Sequence, residues 1–191
     1  LEPYRAPDTS AAETALFACE IDVLPNFESQ RIEDAKARGL QVMTTSGLSL
    51  TPLLIQTTDP LMSNVKLRQA IAHAIDFKQI AAARTANLAD FNPSGVPQAS
   101  AFFDEDFLKW PAYDPEAAKA LLAEAGYKGE VIKIQTNTRY QGMYENSILV
   151  QAMLAGAGIN AELEVLDWAA QLDNYLAGKF QLQSFGYSAR L

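Results

Sequence analysis

Residues 131–186 read VIKIQTNTRYQGMYENSILVQAMLAGAGINAELEVLDWAAQLDNYLAGKFQLQSFG, and two periodicities alternate along them. Within 159–166, Ile159, Ala161, Leu163 and Val165 alternate with Asn160, Glu162 and Glu164, the period of a half-covered strand. Residues 131–136 and 180–186 predict further strands, and helices are expected at about 142–156 and 168–177. Strand–helix–strand repetition implies parallel crossovers. The expected fold is therefore α/β, a mixed, mostly parallel sheet flanked by helices.

Upstream, residues 113–127 read YDPEAAKALLAEAGY. Asp114 is an N-cap, Pro115 the first helical residue and Gly126 the stop, with Ala118, Leu121, Leu122 and Ala125 as the buried face. Residues 65–75 predict another helix, capped by Ser63 or Asn64, with Leu67, Ile71, Ala74 and Ile75 as its apolar stripe. Between these helices, 86–113 has no clear period and reads as a long ordered loop. Nearer the start, helices are expected over 8–18 and about 28–38, the second ended by Gly39. Residues 21–24 form a short buried-strand candidate broken at Pro25, and 40–57 hold two β-rich stretches around Ser46-Gly47.

At 191 residues the chain fits one domain with a sizeable core over 1–191, and two domains would be a tight fit. A formal charge of −8 argues against nucleic acid or an anionic membrane as partner. No apolar run approaches the roughly 20 residues of a membrane helix. Cys19 is the only cysteine, so no internal disulfide forms, and it reads as a small core residue. His73, the only histidine, falls opposite its helix's apolar stripe and reads as solvated. No metal or cofactor is expected, and no GxSxG, P-loop, GxGxxG or HExxH pattern occurs. Glu162 and Glu164 read as solubilising charge on an outward strand face. The opening Leu-Glu-Pro-Tyr-Arg, without Met or signal peptide, reads as a piece of something longer.

Ligands of parallel α/β sheets bind beyond the carboxyl ends of the strands. Three such junctions follow from the pattern. The first strand runs into Arg139-Tyr140, the second into Asp167-Trp168, and the third into Tyr187 and Arg190. Aromatic walls with a few directed polar groups suit a small-molecule cleft, and an arginine fork suits a carboxylate or phosphate. The plainer alternatives remain open: Asp167 as a helix cap, Trp168 as core packing, Arg139 as surface charge.

Four stretches carry a family resemblance. DPLMSNVKLRQAIAHAID (59–76), YDPEAAKALLAEAGY (113–127), ILVQAMLAGAGINAELEVLDW (148–168) and GKFQLQSFGYSARL (178–191) resemble, in order, motifs of the family 5 extracellular solute-binding proteins. ETALFACEIDVL (13–24) is similar to an earlier piece of the same family, which includes dipeptide, oligopeptide, nickel and opine binders. The resemblance implies the second lobe of a two-lobed, type II periplasmic binding protein that closes on its ligand, with the first lobe and a returning C-terminal segment absent. It implies ligand contacts from Trp168, Ser184 and Tyr187. Arg190 stands where the family's peptide binders carry an Asp that pairs with the peptide amino terminus, which favours an acidic or sugar-acid-like ligand. Tyr187 replaces the usual Trp, and Phe77 a common Arg.

The expected function is thus capture of a peptide-like or acidic solute for a membrane ABC permease, in the periplasm or tethered outside a Gram-positive cell, without chemistry. A sensing or interaction module would use the same lobe. An acid/base enzyme would need a paired acid and base where the junctions offer arginines and aromatics.

Overall fold

In chain order the elements are α1 (Thr9–Phe17), α2 (Ile32–Ala37), β1 (Ser49–Leu50), β2 (Leu53–Ile55), α3 (Val65–Ala74), α4 (Phe77–Thr85), α5 (Pro115–Ala125), β3 (Ile132–Thr136), α6 (Gln141–Gly156), β4 (Ala161–Val165), α7 (Trp168–Ala177), β5 (Leu182–Ser184) and β6 (Tyr187–Ser188). Short 3₁₀ turns occur at Ser29–Arg31 and Glu105–Leu108. This computed structural model describes residues 6, 9–25, 27–45, 47–89, 91–109 and 112–188. The chain divides into two compact units, residues 1–46 with 81–89, and residues 47–80 with 90–191.

The larger unit holds a four-stranded sheet in the order β2-β5-β3-β4. β3 pairs in parallel with both β4 and β5, as the alternating pattern requires, while β2 closes the other side of β5 antiparallel. Beyond it, β1 and β6 form a short antiparallel pair.

Period-two alternation gives the sheet two unlike faces. Ile132, Ile134 and Leu182 point into an apolar core with Leu67, Ile71, Ile75, Leu154 and Ile159, all essentially inaccessible. Lys133, Gln135 and Asn137 fall on the opposite side, level with Glu162 and Glu164 of β4.

The helix signals explain the packing of α3 on α5. The Asp114 carboxylate accepts from the N–H groups of Glu116 (3.1 Å) and Ala117 (2.9 Å). At the other end Gly126 sits at φ 69°, and Tyr127 N–H reaches back to Leu122 O at 3.1 Å. Asn64 serves two helices at once. Its Oδ1 accepts from Lys66 N–H (3.0 Å) at the start of α3, and its Nδ2 donates to Ala125 O (3.0 Å) at the end of α5. Of the two adjacent leucines of α5, Leu122 is buried at 7% exposure, whereas Leu121 only rims the core.

In the smaller unit Glu13, 1% exposed, pairs with Arg31 and accepts from Glu28 N–H at 2.9 Å. The guanidinium carbons of Arg31 and Arg38 lie 4.6 and 4.4 Å from the Phe17 ring centroid.

Several expectations are corrected. Residues 21–24 and 41–45 form no strand; Val23 is 73% and Met43 95% exposed, so neither run has the cover that would hold it in a sheet. α4 was not foreseen, because none of its residues is buried and no apolar stripe marks it. The stretch 86–113 is not all loop, since it contains the Glu105–Leu108 turn. Cys19 is exposed at φ 59°, outside any core. His73 is half-buried, its Nδ1 at 2.8 Å from Ala112 O, because the chain returning to Asp114 packs beside α3. Glu164 is no idle surface charge; it meets Lys133 Nζ at 3.3 Å and accepts from Gln135 Nε2 at 2.8 Å.

Candidate functional site

The carboxyl ends of β3, β4 and β5 deliver Tyr140, Trp168 and Phe185 to one place. Tyr140 and Trp168 meet edge to face at 4.9 Å between centroids, and Trp168 and Phe185 lie tilted at 5.4 Å. From Phe185 the run continues to Tyr175 of α7, stacked at 4.5 Å, and to Tyr187 at 5.4 Å. Such offset and edge-to-face pairs are the favoured aromatic geometries, each stabilising by about 0.5–1.5 kcal/mol beyond area burial.

Three of the rings are placed by identifiable backbone bonds. Asp167 caps α7, accepting from Ala170 N–H at 3.0 Å, and so sets Trp168 as the first helical residue. Tyr140 is held by its own N–H, which donates to Asn137 Oδ1 at 2.9 Å. Phe185 extends β5 by donating its N–H to Pro52 O at 3.2 Å. Gly186 follows without a side chain, and a Cβ there would stand 2.8 Å from Met143 Cε.

Beneath the rings lies a chain of buried amides. Asn137 Nδ2 donates to Gln171 Oε1 at 2.7 Å, and Gln171 Nε2 donates to Ser184 O at 2.8 Å. Gln183 Nε2 donates to Gln171 O and to Gln135 Oε1, both at 3.1 Å. Asn137, Gln171 and Gln183 are wholly buried.

At the open end the Tyr187 and Tyr175 hydroxyls are 2.8 Å apart. Partial burial, reinforced by the hydrogen bond to Tyr175, pushes the Tyr187 phenol up to about 12. It is therefore neutral at any physiological pH and presents a hydroxyl, not a charge.

The residues expected at the site are thus only partly gathered. Tyr140, Trp168 and Tyr187 share the aromatic run; Tyr140 and Tyr187 are each 41% exposed and Trp168 is half-buried. Arg139 is exposed, its guanidinium carbon 5.8 Å from the Tyr140 ring centroid. Ser184 is 3% exposed and shares the sheet face of Leu182, the face opposite Gln183, so its backbone carbonyl serves the amide chain. Arg190 lies outside the described residues.

Phe185, Tyr175 and Gln171 were not foreseen. Tyr175 stands seven residues after Trp168, two turns along the same helix face, and that spacing was the available signal. A separate depression of about 550 Å³ lies over Lys133, Glu164, Lys179 and Gln181. Much of its lining is paired with itself, Lys133 N–H to Gln181 Oε1 at 2.8 Å included, whereas the aromatic run keeps two half-open rings. Among the described residues no group of three or more His, Cys, Asp or Glu side chains could hold a metal ion. Nor, among them, is any helix long and apolar enough to cross a membrane.

Comparison with known proteins identifies the fold and the family. A probable peptide ABC transporter periplasmic-binding protein of Sinorhizobium fredii is 34% identical over 157 residues, 80% of this chain and 28% of that protein. The Helicobacter pylori periplasmic binding protein DppA, solved in complex with the peptide STSA, superposes with a TM-score of 0.81 at 28% identity. That match covers 96% of this chain and 36% of the other. A binding protein of A. tumefaciens R10, in complex with mannopinic acid, gives 0.80 at 26% identity, over 96% of this chain and 38% of its own. The chain thus spans about a third of the length of these relatives, and its fold is the type II periplasmic-binding-protein α/β architecture. The profile of the bacterial extracellular solute-binding proteins, family 5 (middle region), matches residues 4–191, and the chain belongs to that family.

Proposed function

We propose that this chain is the second lobe of the substrate-binding component of an ABC importer, capturing a peptide-like or acidic small solute in the periplasm and passing it to a membrane permease. The observation that carries the reading is the aromatic run at the carboxyl ends of three parallel strands, where α/β sheets bind ligands. The relatives add support, being a peptide transporter component and proteins holding a peptide and mannopinic acid.

In this reading no bond is made or broken. Tyr140, Trp168 and Tyr187 form one wall of the cleft, the neutral tyrosine hydroxyl pair offers a donor and an acceptor, and Arg139 and Arg190 supply positive charge for an acidic group. Ser184 acts through its backbone. A first lobe elsewhere in the intact protein closes on the ligand, because an open half-site leaves most of a bound solute wet.

The test is a native mass spectrum of the intact protein as purified, followed by calorimetric titration with STSA and with mannopinic acid. A co-purified small solute, or submicromolar binding of either compound, supports the reading. A protein that carries no solute and turns one over chemically contradicts it.

A further inference from the structure

α7 is held to the sheet in an unusual way. Its only buried residue is Gln171, a polar side chain where an apolar one would pack at no desolvation cost. Burying an amide is tolerable when its hydrogen bonds are made, and directed bonds fix geometry more tightly than apolar contact does. Both polar atoms of the Gln171 side chain are bonded, although the neighbouring Gln183 Oε1 has no partner.

The bonds of Gln171 reach the three junctions that carry the rings. Its Oε1 accepts from Asn137 Nδ2 at 2.7 Å, and Asn137 Oδ1 in turn holds Tyr140 N–H at 2.9 Å. Its Nε2 donates to Ser184 O at 2.8 Å, immediately before Phe185. Its own N–H donates to Asp167 O at 3.0 Å, closing the first turn of α7 on which Trp168 stands. Gln183, also wholly buried, secures the same turn from β5 by donating to Gln171 O.

We infer that Gln171, with Asn137 as its relay, is the positioning residue of the ligand wall: one buried amide sets the mutual placement of Tyr140, Trp168 and Phe185. This rests on the ligand-capture reading for its functional meaning, though not for its geometry. Neither residue reaches the open face, so both act through the rings. An apolar residue at 171 would leave α7 tethered to β5 through the Gln183 bond to the 171 carbonyl, but would remove the side-chain bonds that fix its start against the end of β3 and the Ser184 carbonyl.

The test uses the intact protein labelled with fluorotryptophan, with the Trp168 resonance assigned by its loss in Trp168→Phe. Gln171→Leu keeps the volume and removes both side-chain bonds. Asn137→Asp keeps the acceptor for Tyr140 and removes the donor to Gln171, and it serves if the first variant does not fold. Leu122→Ala, on the far side of the core, supplies a destabilised control without touching the network.

The expected result is a shifted or broadened Trp168 resonance in both network variants and an unchanged one in the control. STSA or mannopinic acid, whichever binds the parent, should bind the network variants roughly tenfold more weakly, the usual scale for losing a residue that orients a binding group. The control should bind as the parent does. An unmoved Trp168 resonance in Gln171→Leu or in Asn137→Asp, or a resonance moved equally by Leu122→Ala, overturns the inference. If neither compound binds the parent, the choice of ligand is wrong, and the resonance alone still decides the role of Gln171.

Discussion

Leu121 and Leu122 are neighbours on one helix, and truncating each in turn measures which way that helix faces. Leu122 is 7% exposed, beside the fully buried Ala118, where α5 packs on α3. Leu→Ala there removes apolar surface from a closed core and leaves a cavity, a loss of about 3 kcal/mol. Leu121 is only partly covered, so its truncation exposes little new void. The transfer loss from about half a side chain is about 1 kcal/mol. At about 2–4 °C per kcal/mol for a chain of this size, the midpoints should fall by about 6–12 °C and about 2–4 °C. Urea unfolding of both variants, followed by circular dichroism at unchanged slope, gives the two free energies directly. Equal losses, or a larger loss at Leu121, would refute the stated orientation of α5 and with it the register of the core against α3.

Gly178→Ala should destabilise by about 1–2 kcal/mol, because Gly178 ends α7 at φ 67° and a Cβ would lie 2.8 Å from Gln56 Nε2; a melt within about 0.3 kcal/mol of the parent would contradict this. Tyr187 should ionise near pH 12, and Tyr175→Phe should bring it back toward the ordinary value in an ultraviolet titration. Since this pKa is raised in the folded state, its stabilising contribution is intact below about pH 10 and lost as pH climbs toward 12, and stability that rose across that window would reverse the assignment. Arg190→Ala should weaken an acidic ligand by roughly 30-fold, the loss of one desolvated arginine–carboxylate contact, and an unchanged affinity would end the proposal of an acidic ligand.

The sheet was legible because its signals are local. Alternation in 159–166 needs only the strand itself, and the Asp114-Pro115 start and Gly126 stop of α5 are written within a few residues of the ends they set. α4 was silent for the converse reason: none of its residues is fully buried and only Phe77 and Ile80 lean on the core, so no stripe betrays it. Residues 21–24 misled because a short apolar run looks alike whether or not a partner strand covers it. At the site, Trp168 and Tyr187 were visible as strand-end aromatics. Gln171 was not, since its partners Asn137 and Ser184 come from other parts of the chain and an isolated glutamine reads as surface. Strand parity turns the Ser184 side chain from the rings and leaves its carbonyl, which accepts from Gln171, on their side.

The order of strands in the sheet also bears on how the molecule folds. β3 and β4, joined by α6, can pair as soon as both exist, but β5 comes later in the sequence and must enter between β3 and the much earlier β2. Until it does, the backbone of β2 and one edge of β3 have no partner, and closing so long a loop is slow. The insertion step that completes the sheet is also the one that brings Phe185 and Tyr187 to Trp168. Sheet completion and site assembly therefore coincide, and a refolding chain should recover helical signal before its tryptophan environment; simultaneous recovery of the two signals would contradict this order.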